Sequence, residues 1–440
     1  ICEGPLPKNE EDVTMKKNRI LSTILAAALC TSLAACGKSS ENTGNAANTD
    51  NNTLSVSIWD NNQLPGLKSI MEDFTKETGI AVDIQVVPWD QYWTLLEAGA
   101  QGGTLPDVFW MHSTYSQRFM RNDMLLDLTD RITQSDTIDP NNYYQDILGL
   151  YQYDGKTYAI PKDYDTIALW YNKTMFDEAG ISYPDETWTW DTFAEVAAKL
   201  TDKDNNQYGF ASPAAYNQDG YYSMIYDMGG YILNEDKSAS GWDAPETIAA
   251  MNWWYDNLVT VCMPTQQMMG ENTTDVLFSS GRSAMTLQGS WMVKAFSENE
   301  YIAANADVAV LPMANDGTRK TIYNGLGWAA SAEGSNTENA WKLLEYLGSE
   351  DAQRKQAETG VTMSAYMGTS DKWTDCAPDF NLQAYLDMTK DMVIRPYTAN
   401  TKIWEDYSQQ VMVRAYTAEI TMEEACKEIA AFMNEKMAEE

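Results

Sequence analysis

From Leu54 onward the hydrophobic pattern switches between a period of two residues and a period of about 3.6, which restricts the chain to folds assembled from strand–helix–strand units. Ser55 to Trp59 reads as a strand. The helix after it sets Leu67, Ile70, Met71 and Phe74 on one face, with Gly79 as its stop. Val82, Ile84 and Val86 alternate as a second strand ending at Pro88. Asp90 is placed to cap a helix that buries Trp93 and Leu96, and Pro106-Asp107 leads into the apolar run Val108 to Met111. This succession predicts a parallel sheet. A similar one restarts at Ile167 to Tyr171, followed by a helix carrying Trp190, Phe193, Ala197 and Leu200, with Thr189 as its N-cap. The C-terminal part is mostly helical by period, as in Ala340 to Leu347 and Met422 to Met437.

Ahead of this pattern the chain has a different character. Lys16, Lys17 and Arg19 precede an apolar run from Ile20 to Leu29, too short to cross a bilayer, and Leu33-Ala34-Ala35-Cys36 follows. That order resembles a bacterial lipoprotein signal. The resemblance implies that residues 1–36 are upstream sequence and signal peptide. It also implies that Cys36 is lipidated (palmitate included) and that the folded part is anchored outside the cell membrane. Ile1 to Thr14 lie before Met15 and carry no signal feature. Residues 37–52 have no aromatic and no large aliphatic side chain, so they are expected to form a flexible tether.

The remainder of the 440 residues exceeds one typical core, so two lobes are expected. Asp and Glu outnumber Lys and Arg by 64 to 30, which argues against nucleic acid or anionic lipid as a partner. Cys262, Cys376 and Cys426 remain after the leader; one pair could bridge, and their spacing does not say which. His112 is the only histidine, which excludes His-rich metal sites and any nucleophile pair not built on it. No Gly-rich phosphate loop is present. Asp202, Asp204 and Asn206 open like a calcium loop, but Gln207 stands where the turn glycine belongs, so a hairpin turn is expected. With so many carboxylates, two lying close together would say nothing about glycosidase chemistry. No cofactor or metal is expected.

Tryptophan and tyrosine are abundant, 15 and 25 residues. Many lie at strand ends beside amides and carboxylates: Trp59-Asp60-Asn61-Asn62, Phe109-Trp110-Met111-His112-Ser113, Tyr216-Asn217-Gln218-Asp219, Gly289-Ser290-Trp291 and Asn324-Gly325-Leu326-Gly327-Trp328. In open α/β sheets the ligand crevice lies beyond the carboxyl ends of the strands. Sugars suit such a mixture, since their C–H faces pack on rings while their hydroxyls bond to Asp, Asn and Gln. A Trp taken singly is more often core, and Trp253 and Trp254, inside a helix, are assigned there.

Asp165-Thr166-Ile167-Ala168-Leu169-Trp170-Tyr171-Asn172-Lys173 resembles the interlobe crossing segment of family 1 extracellular solute-binding proteins, the carbohydrate receptors of ABC importers. The similarity continues, in the family's order, through Thr187 to Phe193, Ser283 to Trp291, Val310-Leu311-Pro312 and Gly325 to Trp328. It implies an α/β, two-lobed periplasmic-binding-protein fold of class II type, with a ligand cleft between lobes joined by crossing hinge strands. Lobe one is expected at residues 53–163 plus 284–330, and lobe two at 164–283 plus 331–440. The resemblance places sugar contacts at Trp59, Asp60 and Asn61, and a stacking ring at Trp110. Ser113 and Thr114 fall where a relative uses charged side chains. Asp165 takes the place of a hinge-edge carboxylate, Trp291 of a stacking Trp and Trp404 of another. Arg395 and either Tyr216 or Tyr222 complete the implied contacts, with His112, Gly289, Ser290, Gly327 and Trp328 from the clusters above.

The function implied is a lipid-anchored, monomeric, non-enzymatic receptor that binds a carbohydrate, expected to be an oligosaccharide. It would deliver that ligand to the transmembrane subunits of an ABC importer. Two alternatives stay open: the same fold binding a polyamine or other small polar solute, and a glycan-active enzyme.

Overall fold

The computed structural model describes residues 52–440. The expected signal, tether and Cys36 lie outside the described residues, apart from Asn52 at the tether's end.

Two hydrophobic cores form, each around its own sheet. The first sheet has five strands in the order Ala81–Val86, Thr53–Ile58, Val108–Met111, Gly327–Ala330, Ala159–Pro161. The first three run parallel, as the βαβ reading predicts. Gly327–Ala330 enters antiparallel to both of its neighbours, pairing Trp328 with Trp110 on one side and with Ile160 on the other. Leu64–Thr78 buries Leu67, Ile70, Met71 and Phe74 and ends at Gly79, whose φ of 74° suits glycine. Trp89–Gly102 buries Tyr92, Trp93 and Leu96. Pro88 rather than Asp90 occupies its N-cap, and Asp90 falls in the first turn, where a negative charge meets the helix dipole.

The second sheet has three strands with Ile167–Asn172 in the middle, flanked by Met285–Gly289 and Ala306–Ala309. Both neighbours are antiparallel, so no second βαβ unit forms here. The helix Trp190–Lys199 packs as a cover rather than a crossover, with Thr189 capping it as expected. Ile167–Asn172 is buried on both faces. Ile167, Leu169 and Tyr171 enter the second core, while Ala168 and Trp170 point the other way, as the two-residue period of a strand dictates. The helices Tyr222–Asp227, Pro245–Trp254, Thr401–Tyr416 and Met422–Met437 complete this half.

These pairings revise the expected lobe boundaries. Met285–Gly289 and Ala306–Ala309 bond to Ile167–Asn172, so both strands belong to the second sheet, while Val293, Phe296 and Ile302 between them pack into the first core. Conversely, Thr337–Gly348, Glu350–Glu358 and the stretch up to Tyr385 bury Leu343, Leu344, Leu347, Ala357 and Met363 in the first core. Segments 162–166 and 323–326 cross side by side between the halves, tied by Lys162 N–H to Leu326 O at 2.7 Å and Asp165 N–H to Asn324 O at 3.0 Å.

Cys262, Cys376 and Cys426 are all free thiols. Asp202 to Gln207 form a tight turn with Asn206 at φ 54°, as the hairpin reading expects. Among the described residues no helix is long and apolar enough to cross a membrane.

Candidate functional site

The carboxyl ends of the first-sheet strands, the crossing segments and the near edge of the second half surround one cleft. It comprises two adjoining pockets of about 600 and 680 Å³, which share Trp89, His112, Tyr216, Gln218 and Trp291. Trp59 and Asp60 arrive directly after Thr53–Ile58, His112 after Val108–Met111, and Ser290 and Trp291 after Met285–Gly289. Strand ends deliver these side chains because the pleat stops there and the next backbone turns outward.

Aromatic rings make one wall. Trp59 is half-buried and sits at the centre of an edge-to-face group, 5.1 Å from Trp89, 5.0 Å from Tyr92 and 4.9 Å from Trp110. Trp89 is 42% exposed, so its ring is available to a ligand. Trp291 faces this wall from the second half and lines both pockets.

Polar groups make the floor. Asp165 accepts Gln218 Nε2–H at 2.7 Å and Asn324 N–H at 3.0 Å, both on Oδ1, which leaves Oδ2 for a ligand. Burial, reinforced by the nearby Asp163 charge, pushes its pKa well above the ordinary carboxylate value. Asp219 is also pushed up, to about 6, mainly by burial. Burial, with Arg395 nearby, lowers the His112 pKa well below its usual value, so the ring is neutral. Its Nδ1 accepts Thr114 N–H at 3.1 Å, which puts the ring proton on Nε2. The Asn324 side-chain amide lies 3.0 Å from Nε2 through its Nδ2, and exchanging the two ends of the amide, which are interchangeable in outline, lets its oxygen accept that proton.

Arg395 is nearly buried and reaches Glu405 at 2.6 Å and the Thr114 hydroxyl at 2.6 Å. Burial opposes its charge, but Glu405 and Tyr222 outweigh burial and its pKa rises, so it stays a cation. Its Nε and the Ser290 hydroxyl are buried and have no partner among the described residues.

Of the site residues expected from sequence, Trp59, Asp60, His112, Thr114, Asp165, Tyr216, Ser290, Trp291 and Arg395 come together around the cleft. Eight others do not. Trp110 is wholly buried inside a strand, under Trp59. Ser113 is buried at the start of the helix Ser113–Arg121. Tyr222 packs beside Trp242 in the second core, so of the two it is Tyr216 that lines the cleft. Trp328 is core, 5.9 Å from Trp110, and Gly327 only lets Ala159 and Tyr151 approach. Trp404 is buried and donates to Thr398. Gly289 leaves room for the Trp291 ring rather than lining the cleft. Asn61 is exposed on the short helix after Asp60 and is also outside the lining.

Trp89, Gln63, Asp163, Gln218, Asp219 and Asn324 line the cleft without having been singled out. Gln218, Asp219 and Asn324 belong to clusters already visible in the sequence, whereas Trp89 and Gln63 carried no local signal. Among the described residues, no group of three or more His, Cys, Asp or Glu side chains is placed to hold a metal ion.

The family model described as bacterial extracellular solute-binding protein matches residues 69–380. A galactooligosaccharide-binding protein of Bacillus subtilis is 26% identical over 351 residues, covering 76% of this chain and 77% of its own. An ABC substrate-binding protein of Listeria monocytogenes, solved in complex with cycloalternan, superposes with a TM-score of 0.79 at 23% identity. That match covers 88% of this chain and 99% of the other. An ABC transporter solute-binding protein of Thermotoga lettingae, bound with α-D-tagatose, superposes with a TM-score of 0.75 at 24% identity, covering 88% and 99%.

Proposed function

We propose, from the premise that this chain belongs to the family of bacterial extracellular solute-binding proteins, that it is a receptor that takes a carbohydrate, in oligosaccharide form, into its cleft and hands it to an ABC importer. The observation that carries this reading is the pairing of the Trp59, Trp89 and Trp291 rings with Asp165, Ser290 and Arg395 in one cleft. Rings cover the C–H faces of a pyranose, and Asp165 Oδ2, with the buried Ser290 hydroxyl and Arg395 Nε beside it, keeps hydrogen-bonding capacity that no described residue uses. Named relatives agree in kind, since those above are a galactooligosaccharide receptor and proteins holding cycloalternan and tagatose.

A ligand touching both halves favours the closed arrangement by its differential affinity for that state, with segments 162–166 and 323–326 as hinges. Release to the importer returns the saccharide unchanged. Anchoring by lipid at Cys36 belongs to the same proposal, supported by the order of basic, apolar and small residues before it.

Titration calorimetry with maltotriose and galacto-oligosaccharides tests the reading, and absence of heat with every saccharide in such a panel overturns it. One observation favours a second reading, a polyamine ligand. The cations lining the cleft, Arg118, Arg395 and Lys402, are paired with Glu97, Glu405 and Asp406, whereas Asp60, Asp165 and Asp219 have no ion-pair partner among the described residues. Spermidine in the same panel separates the two. Labelling with palmitate, lost in Cys36→Ser, tests the anchor.

A further inference from the structure

Lys162 lies beneath the cleft floor, fully buried and outside the lining. An ammonium group has three protons to donate, and here each one goes to a different side chain of the floor. Asp163 Oδ2 receives one at 2.6 Å, Gln63 Oε1 another at 3.0 Å and the Thr362 hydroxyl the third at 3.3 Å. All three acceptors line the pocket that holds Trp59 and Asp165.

The consequence reaches one residue further. Because Gln63 Oε1 is held by Lys162, its Nε2 is turned outward and donates to Asp60 Oδ2 at 3.0 Å. Asp163 is held from both ends, by Lys162 on Oδ2 and by the Leu326 N–H on Oδ1 at 2.7 Å. The same ammonium sits 4.5 Å from the centre of the Trp110 ring, on which Trp59 rests edge to face. A buried cation costs desolvation, and burial does lower its pKa, yet the neighbouring Asp163 keeps the charged form bound in place.

We infer that Lys162 is a positioning residue of the saccharide site: it never touches the ligand, but it fixes the Gln63 amide, and through it the Asp60 carboxylate, together with Asp163 in the orientation that receives sugar hydroxyls. This rests on the carbohydrate reading for the ligand and on geometry alone for the relay. Fixing these groups before binding removes the ordering cost that a ligand would otherwise meet.

The test uses the full chain with Lys162→Met, which keeps the length of the side chain and removes its protons. In the ligand-free crystal structure of this variant, Gln63 and Asp60 are expected to leave their present mutual contact. An unchanged Gln63–Asp60 pair overturns the relay whatever the ligand is. Affinity for maltotriose is read by calorimetry, and a loss of about tenfold is expected. In the double variant Lys162→Met/Gln63→Leu the loss should be no greater than in the worse single variant, because both act through one relay. Multiplying losses would mean a general structural role and overturn the proposal. If Lys162→Met does not fold, Gln63→Leu alone breaks the relay at its middle, and an Asp60 side chain that stays put in its crystal structure overturns the proposal equally. Failure of wild-type protein to bind any saccharide would instead strike the carbohydrate reading, leaving the crystallographic arm to decide the role of Lys162.

Discussion

Trp59 and Trp110 meet edge to face at 4.9 Å and 80°, the first half-buried at the cleft and the second wholly enclosed behind it. The two indoles therefore do different work. Removing the inner ring leaves a cavity in the first core, and Trp110→Ala is expected to cost about 3–5 kcal/mol of stability in urea unfolding. Trp291→Ala removes a cleft ring and is expected to weaken sugar binding by about 1–3 kcal/mol, the range for a planar ligand on an aromatic platform, with little change in Tm. Calorimetry showing full affinity in Trp291→Ala would remove that ring from the site.

Arg395 and Glu405 form a nearly buried ion pair at 2.6 Å between the cleft and the second core. Arg395→Met leaves the Glu405 carboxylate buried without its cation, which typically destabilises by about 3–5 kcal/mol. It also frees Thr114, so affinity should fall as well. Chemical denaturation that leaves Arg395→Met as stable as wild type would show that Glu405 finds another partner.

The three parallel strands of the first sheet and the helices between them were legible because their signals are local. Gly79 ends a helix whose apolar face recurs with the right period, and Thr189 caps a helix where its hydroxyl predicts it. Strand partnership is not local. Nothing near Met285–Gly289 or Ala306–Ala309 states that both flank Ile167–Asn172, which is why the lobe boundaries shifted. The cleft divides in the same way. Trp59, Ser290 and Trp291 follow strands and emerge into it, whereas Trp110 and Trp328 lie within strands covered on both faces, where alternation carries no information about which side is open. Gln63 and Lys162 meet although they stand 99 residues apart in sequence, and no motif marks them.

Asp165 and Asp219 hold their protons to higher pH in the folded protein than in an unfolded chain, chiefly through burial. For Asp219 the folded value is about 6 against an ordinary 3.8, so between these values the folded state binds more protons and stability falls as pH rises. The penalty is absent at acid pH and complete once pH exceeds the folded value. Asp219→Asn removes it. Thermal melts are expected to show a higher Tm for this variant at about pH 7.5 and little difference at about pH 4. Asp165→Asn should likewise keep or raise Tm at neutral pH, since an amide oxygen still accepts from Gln218 and Asn324, while sugar affinity drops. A lower Tm at neutral pH in both variants would mean that these carboxylates hold the fold together rather than await a ligand.

Gly289 has an ordinary extended conformation, φ −76° and ψ 158°, which alanine adopts without strain. Its missing side chain matters for another reason. A Cβ there would lie 1.9 Å from Cζ3 of Trp291, so the indole rests in the space that alanine would fill. Gly289→Ala must therefore push the Trp291 ring out of its present position while leaving the strand before it intact. The expected result is an affinity loss close to that of Trp291→Ala, an almost unchanged Tm, and no further loss in the double variant, because both changes remove the same contact. Full affinity in Gly289→Ala combined with a loss in Trp291→Ala would show that the ring can bind from a second position. Full affinity in both would place the saccharide away from Trp291, against the Trp59 and Trp89 wall alone.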